Sequence, residues 1–447
     1  MDWRIFALSD DSRLVPGHCK PAAYFSGMGV DSIKKLLVFK AFFLPAAAVA
    51  LLFWAINAGN GLGPILATPS KFATSGAART IYDSNYFGNA CGKVCPTEVL
   101  CEGACVYNHQ DVKPIEIGRL QNYATSQAIA NDIKFYTPAK ANGKKAAIIG
   151  SGPAGIACAC ELRKAGVHVD IYEAKSNPTG LTVNGIAPYK ITNQEVLEEL
   201  AYLQTQFGFN IIYNSPIMSK DDVDKLEKSY DAIFIGVGNG ATSSLGIPGE
   251  DKANVHGAVE IIEHLRRDHY NVDFGKKVIV LGGGNTAMDA ASESARMGCP
   301  DVTLAYRRSK EEMGAYHFEY ALAKDVGVKG LFNAAPLEII GNGKVTGVKF
   351  IRTKTENGKI VNIPGSEFVL ECDMLIMATG QKGHDYLFDH ITNLETSGTK
   401  VVATNYQTSN PKYFVGGDCL NGGAEVVNAA YDGKHAGKAI LSFLDIR

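Results

Sequence analysis

Four closely spaced cysteines are the residues of this chain best suited to hold a metal. They lie in Cys91-Gly-Lys-Val-Cys95-Pro-Thr-Glu-Val-Leu-Cys101-Glu-Gly-Ala-Cys105. Thiolates are soft ligands for zinc and for iron–sulfur centres, and inert thiols also fit this spacing. The proline directly after Cys95 favours iron–sulfur, because cysteine–proline pairs recur in ferredoxin-like runs. The remaining cysteines (Cys19, Cys158, Cys160, Cys299, Cys372 and Cys419) are scattered, unlike the even stapling of a small secreted domain. A reducing, cytoplasmic setting is therefore expected. Cys158 and Cys160 lack the spacing of a redox dithiol, so a dithiol reductase is not expected.

A second kind of chemistry is written in glycine. Lys145-Ala-Ala-Ile-Ile runs into Gly150-Ser151-Gly152-Pro153-Ala154-Gly155, and a helical pattern follows. In this fingerprint the first glycine permits a tight turn. The second lets a pyrophosphate reach the backbone, and the third lets helix and strand pack closely. The helix N-terminus then offers free N–H groups and a favourable dipole to phosphate. The next apolar run, Val167 to Tyr172, ends in Glu173, placed to bind a ribose hydroxyl.

The pattern returns in Val278-Ile-Val-Leu-Gly282-Gly283-Gly284-Asn285-Thr286-Ala287, but its following strand ends in Tyr306-Arg307-Arg308. Arginine at this place suits a 2′-phosphate, where an acid would suit a free hydroxyl. The first unit is expected to hold FAD and the second NADPH, with NADH as the alternative. Two further strands end in small residues, Asp231 to Gly238 and Asp373 to Gly380, and resemble strands that carry a chain between two such domains. Gly416-Gly417-Asp418, just before a helical stretch from about Glu425, suits a flavin's ribityl or phosphate region.

The elements that position these residues imply an α/β fold of two nested Rossmann-like domains, preceded by a small helical cysteine-rich domain. FAD elements come first and last, and the nicotinamide unit is inserted between them. That order sets two cofactors face to face, and hydride transfer needs little more, so no catalytic acid or base is expected. The chain is expected to open with an atypical segment, 1–67, and an incomplete iron–sulfur domain, 68–140. The FAD-binding domain would then occupy 141–250 and resume at 374–447, with the nicotinamide domain, 251–373, inserted between. With 447 residues, 46% hydrophobic and 20% charged, the chain has room for several cores. A net charge of -2 gives no reason to expect nucleic acid. The apolar stretch 36–56 approaches the length of a membrane span. The lysines before it would, however, place everything after it outside, away from reduced nicotinamide.

From about Phe72 to Arg447 the chain resembles the NAD(P)H- and FAD-binding portion of dihydropyrimidine dehydrogenase. More distantly it is similar to the glutamate synthase small subunit. The resemblance rests on Cys-x3-Cys-Pro, on Gly-Gly-Gly-Asn-Thr-Ala-Met-Asp, and on Tyr-Arg-Arg before Glu-Glu-Met. Gln121 favours the dihydropyrimidine dehydrogenase type, in which a glutamine ligates a [4Fe-4S] cluster. By resemblance, Cys95, Cys101 and Gln121 would bind one cluster and Cys105 another, with Cys91 a non-ligand. FAD would contact Ser151 to Gly155, Glu173, Gly180, Leu181, Lys190 and Asp418. The nicotinamide cofactor would contact Gly283 to Ala287, Arg307, Arg308, Ala378, Thr379 and Gly380.

The chain departs from that pattern in two ways. Only Cys19 precedes Cys91, so neither cluster has four ligands. The sequence ends without the FMN barrel that reduces the pyrimidine. The expected partner is therefore an FMN-containing, dihydroorotate dehydrogenase-like catalytic subunit in a hetero-oligomer.

Overall fold

Apolar runs too short for buried helices, each followed by a glycine turn, become the central strands of two sheets in a computed structural model. The structure describes residues 71–267 and 271–446. The apolar stretch 36–56 and Cys19 lie outside the described residues. Among those described, no helix is long and apolar enough to cross a membrane.

The first sheet contains β1 (Lys145–Ile149), β2 (His168–Tyr172), β3 (Asn210–Ile212) and β4 (Ala232–Ile235). The second contains β5 (Val255–Gly257), β6 (Lys277–Leu281), β7 (Asp301–Ala305) and β8 (Lys329–Leu331). A four-stranded layer, β9 (Ala334–Ile340), β10 (Gly347–Glu356), β11 (Lys359–Asn362) and β12 (Phe368–Glu371), precedes β13 (Met374–Met377). A two-stranded piece, β14 (Thr396–Ser397) and β15 (Lys400–Val401), follows. The chain then returns to the first sheet through β16 (Ala403–Thr404), β17 (Gln407–Thr408) and β18 (Tyr413–Val415).

The first sheet has the order β16-β17-β18-β4-β1-β2-β3, so its last strands come from the C-terminal region of the chain. The second has the order β5-β13-β6-β7-β8 and is parallel throughout. Strands buried on both faces read as unbroken apolar runs, as β4 and β13 do. The expected boundary at 373/374 is corrected here. β13 pairs with β6 and β5, because its four residues are all buried and find their partners in the nicotinamide sheet. The chain leaves that domain only after Met377.

The cysteine segment forms helices Lys71–Ser84, Gly88–Val94 and Ile117–Ala130. It docks on helix Asn193–Phe207 of the first nucleotide domain. Tyr136 stacks on Phe207 at 4.8 Å between ring centroids, and Tyr86 meets Phe207 edge-on at 5.3 Å. Glu199, fully buried, accepts from the amides of Asn89 and Ala90 at 2.7 and 2.9 Å, satisfying the N-terminus of the helix that carries Cys91.

Burial pushes the Glu199 carboxyl up to about 7 from an ordinary 4.5, against the lowering effect of those two amides. The native chain thus holds this proton more tightly than the unfolded chain does. The Glu199 contribution is complete below the unfolded value near 4.5 and is lost as pH rises towards 7. The loss is about 3 kcal/mol. Glu199→Gln keeps an acceptor for one of the two amides and removes the titration. Urea unfolding at both ends of that window should show wild-type stability falling with pH and the variant's falling less by about this amount. Parallel curves would assign the pH dependence to other groups.

Candidate functional site

The first glycine turn is built by close backbone packing. Gly150 has φ +98, and a Cβ there would meet the Gly236 carbonyl oxygen at 2.5 Å. A Cβ on Gly155 would meet the Gly150 oxygen at 2.0 Å, so helix and strand touch at their backbones. Gly152 is different: a Cβ would find its nearest neighbour only at 3.9 Å, on the side where a phosphate would approach. Helix Pro153–Lys164 starts there with Gly152 as N-cap and proline at its first position.

Glu173, buried at the end of β2, accepts from the Ser151 amide at 3.0 Å and the Ser151 hydroxyl at 2.6 Å. Its other oxygen accepts from the Lys175 amide at 2.8 Å. The carboxylate is thereby fixed beside the turn. Gly180 lies on Gly152, where its Cβ would meet the Gly152 Cα at 3.2 Å. Leu181 opens the next short helix. Thr179, fully buried, holds φ +70, a rare conformation for a β-branched residue. Its amide donates to the Ser151 carbonyl at 3.0 Å, tying the strained residue to the turn.

Gly150, Gly152, Glu173, Gly180 and Leu181 line a cleft of about 950 Å³, as does Asp418. Burial raises the Asp418 carboxyl above its usual range, and its Oδ1 accepts from the Ala424 amide at 3.2 Å. Asp432, which no sequence motif singles out, shapes this wall. It accepts from the Gly417 amide and from Asn421 Nδ2, both at 3.1 Å, and burial pushes it up to about 6. Its place inside a helix, well after Asp418, carries no sequence signal of its own.

The second turn repeats the first with different means. Gly282 has φ +152, and a Cβ there would meet the Ala378 oxygen at 2.6 Å. A Cβ on Gly283 would meet the Tyr306 ring at 2.5 Å, whereas Gly284 has nothing within 4 Å. Ala287 takes the place of the third glycine. Asn285 Oδ1 accepts from the Tyr316 amide at 3.0 Å, and Asn285 and Thr286 line the cleft. Arg307 is exposed and Arg308 half-buried at the end of β7.

Ala378 supports the turn from below. Thr379 Oγ1 donates to the Ser243 carbonyl at 2.7 Å. Gly380 accepts from the Ser243 amide at 2.9 Å, so these two residues also bind the two interdomain linkers to each other.

Lys190 joins the domains. Its Nζ lies 2.7 Å from Asp289 and 2.7 Å from Glu319, both from the nicotinamide domain. The neighbouring Tyr189 donates to Asp289 at 3.0 Å. By resemblance Lys190 is expected beside the flavin. The structure places it on the cleft wall and adds two acidic partners that no motif announces.

Cys91, Cys95, Cys101 and Cys105 are all buried free thiols. A hydrogen bond with Cys91 is the first cause that raises Cys95, and burial pushes Cys101 up to about 12. Gln121, also buried, donates through Nε2 to the Gly88 carbonyl at 2.7 Å, which leaves ligation to its oxygen. Among the described residues no three His, Cys, Asp or Glu side chains form a metal-holding group. Taken alone, they fall short of a complete cluster ligand set.

The family described as pyridine nucleotide-disulphide oxidoreductase matches residues 144–433. That described as dihydropyrimidine dehydrogenase domain II, 4Fe-4S cluster, matches residues 66–133. The small chain of glutamate synthase [NADPH] from Escherichia coli (strain K12) is 35% identical over 83% of this chain and 83% of its own. The NAD-dependent dihydropyrimidine dehydrogenase subunit PreT of the same organism is 32% identical over 86% of this chain and 90% of PreT. Mycobacterium tuberculosis FprA in complex with NADPH superposes with a TM-score of 0.58 at 18% identity, covering 68% of this chain and 84% of FprA. At that identity the likeness concerns the fold.

Proposed function

The chain belongs to the pyridine nucleotide-disulphide oxidoreductase family, and from that premise we propose that it is the electron-input subunit of a two-component enzyme that reduces pyrimidines. It is an FAD-dependent NAD(P)H oxidoreductase with a 4Fe-4S domain. The observation that carries the proposal is the single cleft shared by all three domains. Glu173 and Asp418 come from the flavin domain, Asn285 and Thr286 from the nicotinamide domain, and Val94, Pro96 and Leu100 from the cysteine segment.

When bound, FAD supplies the ability to accept a hydride and release electrons. The protein binds and orients. The turn from Gly150 to Gly155 and the helix behind it would hold the pyrophosphate, and Glu173 a ribose hydroxyl. Lys190, with Asp289 and Glu319, fixes one nucleotide domain against the other, the kind of alignment on which hydride transfer depends. Val94, Pro96 and Leu100 bring the cysteine segment to the wall of the cleft. Arg307 and Arg308 favour NADPH over NADH.

Gln121 supports the pyrimidine-reducing reading, with an FMN-containing, dihydroorotate dehydrogenase-like partner and a cytoplasmic setting. The 35% identity to a glutamate synthase small chain supports a second reading of the same class. Mixing the chain with an FMN-barrel subunit and following NADPH oxidation separates them. Oxidation that depends on uracil or thymine supports the first. Oxidation that depends on glutamine and 2-oxoglutarate, with a glutamate synthase large chain, would overturn it in favour of the second.

A further inference from the structure

The nicotinamide turn enters the cleft through Asn285 and Thr286, and Tyr316 beside it donates its amide to Asn285 Oδ1 and its hydroxyl to Glu425. If FAD lies here as proposed, its ring occupies the end that the nicotinamide turn faces, since only there can a hydride pass directly. That end is formed by the start of helix Val426–Phe443, whose first residues Val426 to Ala429 line the cleft. An eighteen-residue helix presents a partial positive charge of about half a unit at its N-terminus, which favours negative charge nearby.

The N-cap of this helix is Glu425, an acid that itself lines the cleft. Its amide donates to Asn428 Oδ1 at 3.2 Å, and one carboxylate oxygen accepts from the Tyr316 hydroxyl at 3.0 Å. The other charged and titratable groups facing it are Lys190, Glu319, Asp289 and Cys95. Lys190 does not neutralise it, because that ammonium already lies 2.7 Å from each of two carboxylates. Glu319 adds an independent sign of a ligand. It is only 5% exposed, lines the cleft with Glu425, and its Oε2 has no hydrogen-bond partner among the described residues.

We propose that Glu425 sets the reduction potential of the bound flavin, its carboxylate cancelling the positive end of the helix and holding the flavin strongly reducing. A flavin gains electron density on reduction. A positive helix end alone would stabilise that state, and a carboxylate at the same point opposes it. Tyr316 fixes the carboxylate from the nicotinamide domain, so the charge keeps its place at the domain interface. The inference rests on the reading of this cleft as the FAD site. It assigns Glu425 a role on the cofactor's energy and none in moving a proton.

Burial raises the Glu425 carboxyl above its ordinary range, so anaerobic spectroelectrochemistry on the full chain with FAD bound tests it from about pH 6 to about pH 9, with the charge most complete at the upper end. Glu425→Gln should raise the flavin midpoint by at least tenfold in the reduction equilibrium, about 30 mV for a two-electron couple. Glu425→Asp keeps both charge and cap and should stay near wild type. Should the glutamine variant fail to retain flavin, Glu425→Thr preserves capping without charge and takes its place. Potentials of the uncharged variant that coincide with wild type throughout, with FAD content unchanged, would overturn this inference alone. So would an aspartate variant that shifts as far as the uncharged one. A wild-type chain that holds no FAD would overturn the functional reading and this inference with it.

Discussion

Replacing Arg307 and Arg308 together by alanine is expected to lower kcat/KM for NADPH by about 10- to 100-fold while leaving NADH turnover within about twofold. One charge-assisted contact to phosphate contributes roughly 1.5–3 kcal/mol, and solvent screening at the exposed Arg307 leaves the pair worth about one such contact. The loop that carries both arginines is held in place by hydrogen bonds. The Arg307 carbonyl accepts from Thr353 Oγ1 at 2.8 Å, and the Arg308 carbonyl from the Asn333 amide at 2.9 Å. Tyr306 is held by its hydroxyl on the Glu312 carbonyl at 3.0 Å. Arg308 faces Glu312, while Arg307 has no ion pair among the described residues. Stopped-flow reduction of the flavin by each coenzyme measures the preference, which should also weaken with added salt. Equal rates with NADPH and NADH in the unmodified chain would remove the assignment.

The second large effect concerns iron. Two [4Fe-4S] clusters hold about eight irons and need four ligands each. By the resemblance, Cys95, Cys101 and Gln121 would offer three to one cluster and Cys105 one to the other, and beyond Cys91 the described residues contain no further cysteine in this domain. Anaerobically prepared chain is therefore expected to hold well under that amount of iron. NADPH oxidation with a dye or quinone that takes electrons directly from flavin should persist. Transfer to a cluster-dependent partner should be slower than the dye reaction, with pyrimidine-dependent oxidation still measurable. Cys95→Ser should leave the dye reaction within about twofold. Iron analysis with low-temperature EPR decides it: about eight irons per chain would show that other ligands complete both clusters.

Much of the fold is legible in the sequence because nucleotide-binding turns constrain residues one by one. Gly150, Gly155 and Gly282 sit where a side chain would strike backbone, and such positions show in the sequence as glycine next to an apolar run. Glu173 and Asp418 are legible for a similar reason, each ending a strand at a fixed distance from a turn. The layer β9 to β12 is not, since its strands alternate buried and exposed residues irregularly and carry no turn motif. The sequence pattern assigns β13 to the wrong domain, because an apolar run does not say which sheet it joins. Asp289, Glu319, Glu425 and Asp432 escape sequence reasoning as well. Each is an acid on a helix or at its cap, indistinguishable in sequence from a surface charge, and only tertiary packing brings the first three to the cleft and Asp432 to the Gly417 turn behind it.

The central claim, that one cleft brings NADPH to FAD, is tested most directly by anaerobic titration of the purified chain with NADPH. The expected result is about one FAD per chain, released intact on denaturation, with the yellow absorbance bleaching fully at about one equivalent of NADPH. A chain that releases FMN or no flavin, or whose FAD keeps its colour under excess NADPH, would contradict it.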